Sequence, residues 1–232
     1  YHVTAVELGA QSMSDAVLAA NARGHTAEDV RRASAAIRRA GISLGLQQMV
    51  GLYGSTLQDE YDTLEQLLAC QPETLRIYPT VVLAGTKLAE YCAAGVYPLL
   101  SQEEVLDYCA DALCRCRNAG VRVIRMGLHD TPSLRQNMVA GYFHPAYGEL
   151  AESRLYFRQL KRAAADCGKP ELFVETAPRT LSKVLGQHGC NRQALAKQGV
   201  TLQVAEHAAV SAGTLRANGK AYIIDTERNE LR

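Results

Sequence analysis

The chain has 232 residues, 25 Lys and Arg against 24 Asp and Glu, and 47% hydrophobic content. That length suits one large domain or one and a half ordinary ones, and balanced charge with ordinary apolar content argues against gross disorder. No apolar run reaches the roughly 18 residues of a membrane span. No secretory leader is read at its start, and the seven cysteines are odd in number and irregular in spacing. A cytoplasmic protein with free thiols is therefore expected, not a secreted disulfide scaffold.

Val3 to Leu8 reads as a first strand, running into the loop Gly9-Ala10-Gln11-Ser12. Ser14 is placed to cap a short helix. Thr26-Ala27-Glu28-Asp29 is a second start signal, a capping hydroxyl with acids in the first turn. Val30, Ala33 and Ile37 then share a helical face until Gly41 stops the run. Ile42 to Val50 reads as a strand. Gly51-Leu52-Tyr53-Gly54-Ser55-Thr56 is a turn into a capped helix that ends before Pro72. Thr74 to Tyr78 is the next strand, Ser101 caps another helix, and Val121 to Met126 alternates as a further strand.

That alternation of strands and helices predicts a parallel sheet with right-handed crossovers, either doubly wound or part of a β/α barrel. Glu7, Gln11, Gln47, Gln48 and Tyr78 cluster towards strand carboxyl ends, where either architecture binds ligands. After Gly127 the rhythm changes. A long helix from about 149 to 166, a strand at 172–175, helices near 178–187 and 191–198, and strands near 200–206 and 220–225 describe a smaller α+β lobe. The division falls at 144/145. Residues 1–144 carry 12 basic against 15 acidic side chains, and residues 145–232 carry 13 against 9.

Cys109, Cys114 and Cys116 cluster, but their spacing matches neither zinc nor iron–sulfur patterns. Two of them join Val105, Ala112 and Leu113 on one apolar helix stripe, the usual setting of core thiols. No phosphate-binding glycine motif or nucleophile elbow is present. Arg154, Arg158, Lys161 and Arg162 recur along one face of the long helix, either a solvated face or a track for an RNA backbone.

Several segments together resemble the radical S-adenosylmethionine family. They are Val6-Glu7-Leu8-Gly9-Ala10-Gln11-Ser12, Arg23-Gly24-His25-Thr26, Gln48-Met49-Val50-Gly51-Leu52-Tyr53-Gly54 and Leu75-Arg76-Ile77-Tyr78-Pro79, with Gly85-Thr86 and Gly95-Val96-Tyr97 after them. The likeness is greatest to the elongator catalytic subunits that modify tRNA wobble uridine, in the bacterial form without an acetyltransferase domain. Oxygen-independent coproporphyrinogen III oxidase, a tetrapyrrole enzyme, shares the Gly-x-Gln segment and the arginine that follows.

The resemblance implies the second half of a partial β/α barrel, residues 1–144, plus a C-terminal α+β lobe, residues 145–232. It also implies reductive cleavage of S-adenosylmethionine to a 5′-deoxyadenosyl radical at a four-iron four-sulfur cluster. Gln11 and Arg23 match positions that touch the cofactor's ribose and carboxylate. Gln47 stands where the porphyrinogen enzyme has an acid, and Tyr78 would lie beside the adenine. The family's Cys-x-x-x-Cys-x-x-Cys does not occur here. The expectation is therefore the C-terminal part of a longer enzyme, inactive alone, with Val3–Leu8 as an edge for a second copy or a partner segment. A non-catalytic binding module and an enzyme for a small-molecule substrate are the remaining alternatives.

Overall fold

The computed structural model describes residues 2–224. Residue 225 of the expected last strand, like Tyr1, lies outside them. The chain divides into two compact units, one comprising residues 1–112 and 116–148, the other 113–115 and 149–232.

In the first unit, β1 (Ala5–Gln11), β2 (Ser43–Val50), β3 (Thr74–Pro79) and β5 (Arg122–Met126) form a parallel sheet in that spatial order. Between them run α1 (Asp15–Ala20), α2 (Ala27–Arg39), α3 (Leu57–Ala69), β4 (Val81–Leu83), α4 (Lys87–Ala93) and α5 (Gln102–Asn118). α6 (Pro132–Asn137) and β6 (Met138–Gly141) follow β5, and β6 pairs antiparallel with β4. The strand order never reverses, which is the winding of a β/α barrel.

The caps expected at Thr26, Thr56 and Ser101 are in place, whereas Ser14 stands at the start of α1 without a side-chain cap bond. Thr26 and Thr56 each accept a hydrogen bond from the backbone N–H three residues on, and Asp29 and Asp59 bond back to the cap. Such reciprocal boxes satisfy two donors that a helix start would otherwise leave open. One sheet face carries Leu44, Leu46, Val50, Leu75 and Ile77, all buried, as are Leu64 and Leu67 of α3 and Tyr108 of α5. Val105, Cys109, Ala112, Leu113 and Cys116 of α5 are buried too, so the cysteine stripe is core.

The second unit contains most of α7 (Tyr147–Cys167), then β7 (Glu171–Thr176), α8 (Leu181–Leu185), α9 (Cys190–Ala196), β8 (Thr201–Glu206), β9 (Thr214–Ala217) and β10 (Lys220–Ile223). Its sheet has the order β10-β9-β7-β8; β7 and β8 are parallel, and β9 is antiparallel to both of its neighbours.

Two departures from the sequence reading stand out. Strand β1 runs on to Gln11, through the segment expected to be a loop, because an extra residue between Leu8 and Gln11 is absorbed as a register shift against β2. The short elements β4, α4, α6, β6 and β9 lie in stretches read as connections. Three to seven residues are too few to show a period.

Candidate functional site

Side chains alternate across a strand, so the buried face described above leaves Glu7, Gln47, Met49, Arg76 and Tyr78 on the other. Gly45 lies in register between Glu7 and Thr74, and a Cβ there would come within 2.7 Å of Glu7 Cγ and 2.9 Å of Thr74 Oγ1. The missing side chain lets Glu7 reach across β2 to an ion pair with Arg76 Nε on β3. Arg76 Nη1 donates in turn to the Tyr78 hydroxyl at 3.4 Å. The pair holds the Arg76 guanidinium above its ordinary range, through the Glu7 hydrogen bond first and Tyr78 second.

At the carboxyl end of β1, Gln11 has a left-handed backbone, φ +66°. The Ser12 N–H closes onto the Ala10 carbonyl at 2.8 Å, so Gln11 is the middle of a tight three-residue turn. A Cβ on Gly9 would fall 2.5 Å from Gln11 Nε2, so glycine there leaves room for the glutamine to fold back. The turn aims Gln11 at Gln47, whose Nε2 donates to Gln11 Oε1 at 3.4 Å. Ser12 and the Met13 N–H are held from behind by Thr63 Oγ1, at 3.3 and 3.0 Å. A non-glycine residue kept in such a conformation costs about 1–3 kcal/mol and persists where the surroundings enforce it.

Arg23 is exposed, and its Nη2 lies 3.3 Å from Met49 Sδ. Met49 is in register with Tyr78. The fold therefore brings Gln11 and Gln47 into contact, and sets Arg23 against the β2 residue that neighbours Tyr78. Amides, a guanidinium and a phenol on one polar sheet face can bind hydroxyls, a carboxylate and a planar base.

Sequence reasoning missed what braces this face. Glu60, from α3, is buried and accepts from the Gly51 N–H at 2.7 Å, Ser55 Oγ at 2.6 Å and Gln48 Nε2 at 3.2 Å. The Tyr108 hydroxyl donates to Gln48 Oε1 at 2.8 Å, and Tyr97 donates to the Gly51 carbonyl. Burial pushes the Glu60 carboxyl up to about 7, against the pull of those three donors. The network fixes the turn after β2. An acid among polar α3 residues gives no sign in sequence that it points inward.

The basic helix stripe is less open than its spacing suggests. Arg154, Arg158 and Arg162 are half-buried and engaged, and Arg162 Nη1 donates to Gln159 Oε1 at 3.4 Å. Lys161 is exposed, 5.1 Å above the Phe157 ring. Burial pushes the Cys116 thiol up to about 12 and Cys109 higher still, which keeps both protonated. Among the described residues no group of three or more His, Cys, Asp or Glu side chains is arranged to hold a metal ion.

Residues 72–156 match the Radical_SAM C-terminal domain family. The tRNA uridine(34) acetyltransferase of Methanocaldococcus jannaschii is 30% identical over 107 residues, which are 45% of this chain and 20% of that protein. A solved structure of the archaeal Methanocaldococcus infernus Elp3 with an N-terminal deletion matches with a TM-score of 0.61 at 27% identity, covering 68% of this chain and 37% of that one. The chain resembles the radical-SAM, elongator-type enzymes. Human Elongator complex protein 3 agrees, 28% identical over 116 residues, 49% of this chain and 21% of that one. The chain spans about a fifth of the length of these two curated relatives. Its parallel sheet fits the radical-SAM fold neighbour, as the resemblance implies.

Proposed function

We propose that the chain is part of a radical S-adenosylmethionine enzyme acting on uridine in tRNA. Residues 1–144 would be the C-terminal half of its barrel and residues 145–232 its C-terminal lobe. The observation that carries this reading is the strained turn that turns Gln11 towards Gln47 at the end of β1, with Arg23 set against Met49 of the neighbouring strand. Residues held in such conformations cluster at active sites and ligand clamps.

The residues present fit S-adenosylmethionine, whose bound form supplies hydrogen abstraction in this family. Gln11 and Gln47 would hold its ribose hydroxyls, Arg23 its carboxylate and Tyr78 the adenine edge. An iron–sulfur cluster needs grouped thiolates, whereas among the described residues no three His, Cys, Asp or Glu side chains are arranged to hold a metal, and Cys109 and Cys116 are buried thiols in the core of α5. The chain by itself is therefore expected to be inactive. The named relatives favour tRNA over the tetrapyrrole alternative. Its place would be the cytoplasm, in keeping with seven free thiols and no helix among the described residues long and apolar enough to cross a membrane.

Strand β1 is at the end of its sheet, with β2 its one strand partner among the described residues. A second copy or a partner segment would pair with that edge. Calorimetric titration of the chain with S-adenosylmethionine tests the site. Gln11→Ala and Arg23→Ala should each weaken binding at least tenfold, and unchanged affinity in both would sink the assignment. Anaerobic reconstitution should load no cluster, and about four irons per chain would overturn that part.

A further inference from the structure

The second unit holds a loop that the polar face of the first unit does not involve. Segment β7–α8–α9–β8 is a strand–helix–helix–strand run whose two strands lie side by side and parallel. Gly186-Gln187-His188-Gly189 joins its helices. Gly186 sits at φ +78°, ψ +161°, a region that is essentially glycine's alone. A Cβ there would lie 2.5 Å from Cys190 Sγ and 2.9 Å from the Asn191 N atom. His188 and Gly189 follow with φ +52° and +74°.

The loop is braced from below. Buried Asn191 donates Nδ2 to the Val184 carbonyl at 3.0 Å and to Ser153 Oγ at 3.0 Å. Gln193 Nε2 donates to the His188 carbonyl at 3.0 Å, and the Gly189 N–H to the Gly186 carbonyl at 2.9 Å. Val184, Leu195, Leu172, Val174 and Leu202 are buried in the same unit. With the backbone held this way, the side chains of Gln187 and His188 are exposed.

We propose that this loop clamps the sugar–phosphate backbone of single-stranded RNA, as the Gly-x-x-Gly loop of KH modules clamps about four nucleotides. Each structural element serves that task. Buried Gly186 lets the loop close tightly over Cys190 and Asn191, and half-buried Gly189, where an added Cβ would meet only Gln193 Nε2 at 3.9 Å, leaves the loop backbone open to an approaching phosphate. Among the described residues strand β8 has β7 as its one strand partner, so its outer edge is offered to the edges of splayed bases. Arg192 on α9 and Lys197 just after it are exposed and supply positive charge. Helix α9 has only seven residues, so recognition falls to the loop, these two cations and the β8 edge rather than to a helix terminus. The choice of RNA rests on the tRNA reading above, whereas the clamp stands on the second unit alone.

The test is fluorescence anisotropy with a labelled single-stranded RNA, using the whole chain. Gln187→Asp with His188→Asp places two carboxylates where phosphates would lie. Both positions are exposed, and aspartate is among the few residues that tolerate the left-handed backbone at 188. This variant should keep the wild-type melting curve and bind at least tenfold more weakly. Arg192→Glu with Lys197→Glu, which leaves the loop untouched, should also weaken binding and flatten its salt dependence. Duplex RNA of the same sequence should bind at least tenfold more weakly than the single strand. No wild-type binding, equal binding of duplex, or unchanged affinity in the aspartate variant would each overturn the clamp. A chain that binds RNA through the loop yet takes no S-adenosylmethionine at Gln11 would sink the enzymatic reading and support the clamp.

Discussion

Both units contain a parallel strand pair, and the sites proposed at the two pairs present chemistry in opposite ways. At β1–β2 the glutamine and arginine side chains do the presenting, and glycines such as Gly9 and Gly45 only clear space for them. At β7–β8 the glycines themselves shape the presenting surface, and side chains such as Asn191 and Gln193 hold it from behind. A side-chain site should fail when a side chain is truncated. A backbone site should fail when a side chain is added. Each substitution below strains that contrast at one point.

The largest effect is expected at Gly186. Gly186→Val forces a branched side chain into a glycine-only backbone region and against Cys190 and Asn191. Backbone strain and overpacking together should cost about 4 kcal/mol. At Gly199 the backbone is also left-handed, φ +79°, but nothing lies within 4 Å of the added Cβ. Gly199→Ala should cost about 1 kcal/mol. Urea unfolding of the two variants measures the difference, and equal losses would mean that Gly186 is only another turn glycine.

Next comes Glu60. Its folded-state pKa is raised, so the proton is bound more tightly in the folded chain than in the unfolded one. The resulting stabilisation is full below the unfolded value of 4.5 and is lost as pH rises through about 7. The expected loss across that window is roughly 3 kcal/mol. Glu60→Gln should flatten this part of the stability–pH profile, because no carboxyl remains to ionise. A variant with the wild-type slope between pH 5 and 7 would place the titration elsewhere.

What could be read from sequence follows the physics of each signal. The strand–helix alternation and the Thr26 and Thr56 caps are local and periodic, and the structure has them within a few residues. The cysteine stripe on α5 was readable as core for the same reason. Gln11 was visible through the family resemblance, but its left-handed turn was not, because a bulge depends on the partner strand. Glu60 was invisible: a carboxylate in a capped, polar helix looks solvated until Gly51, Ser55 and Gln48 close around it. The Glu7–Arg76 pair spans 69 positions and needs Gly45 between them, which only the register reveals.

A smaller effect, with a split sign, is expected at Gln11. Gln11→Gly relieves the left-handed strain and should stabilise the first unit by about 1 kcal/mol, less the glycine entropy cost. The same change should reduce S-adenosylmethionine affinity at least tenfold. Loss of both stability and affinity would show that Gln11 serves the fold rather than a ligand.

The smallest effect separates contact from stability at the Glu7–Arg76 pair. The two side chains remain 43% and 29% exposed, so water screens the attraction and Glu7→Gln should cost less than about 1 kcal/mol. The glutamine is nearly isosteric, but it no longer holds the Arg76 guanidinium by charge. Arg76 would then be freer to leave Tyr78, the aromatic residue proposed to meet the adenine. Thermal melts should therefore barely move, while S-adenosylmethionine binding weakens by a factor of about three, roughly 0.6 kcal/mol. The reverse pattern, a large drop in melting temperature with unchanged binding, would make the pair a structural strap across Gly45 and remove it from the site.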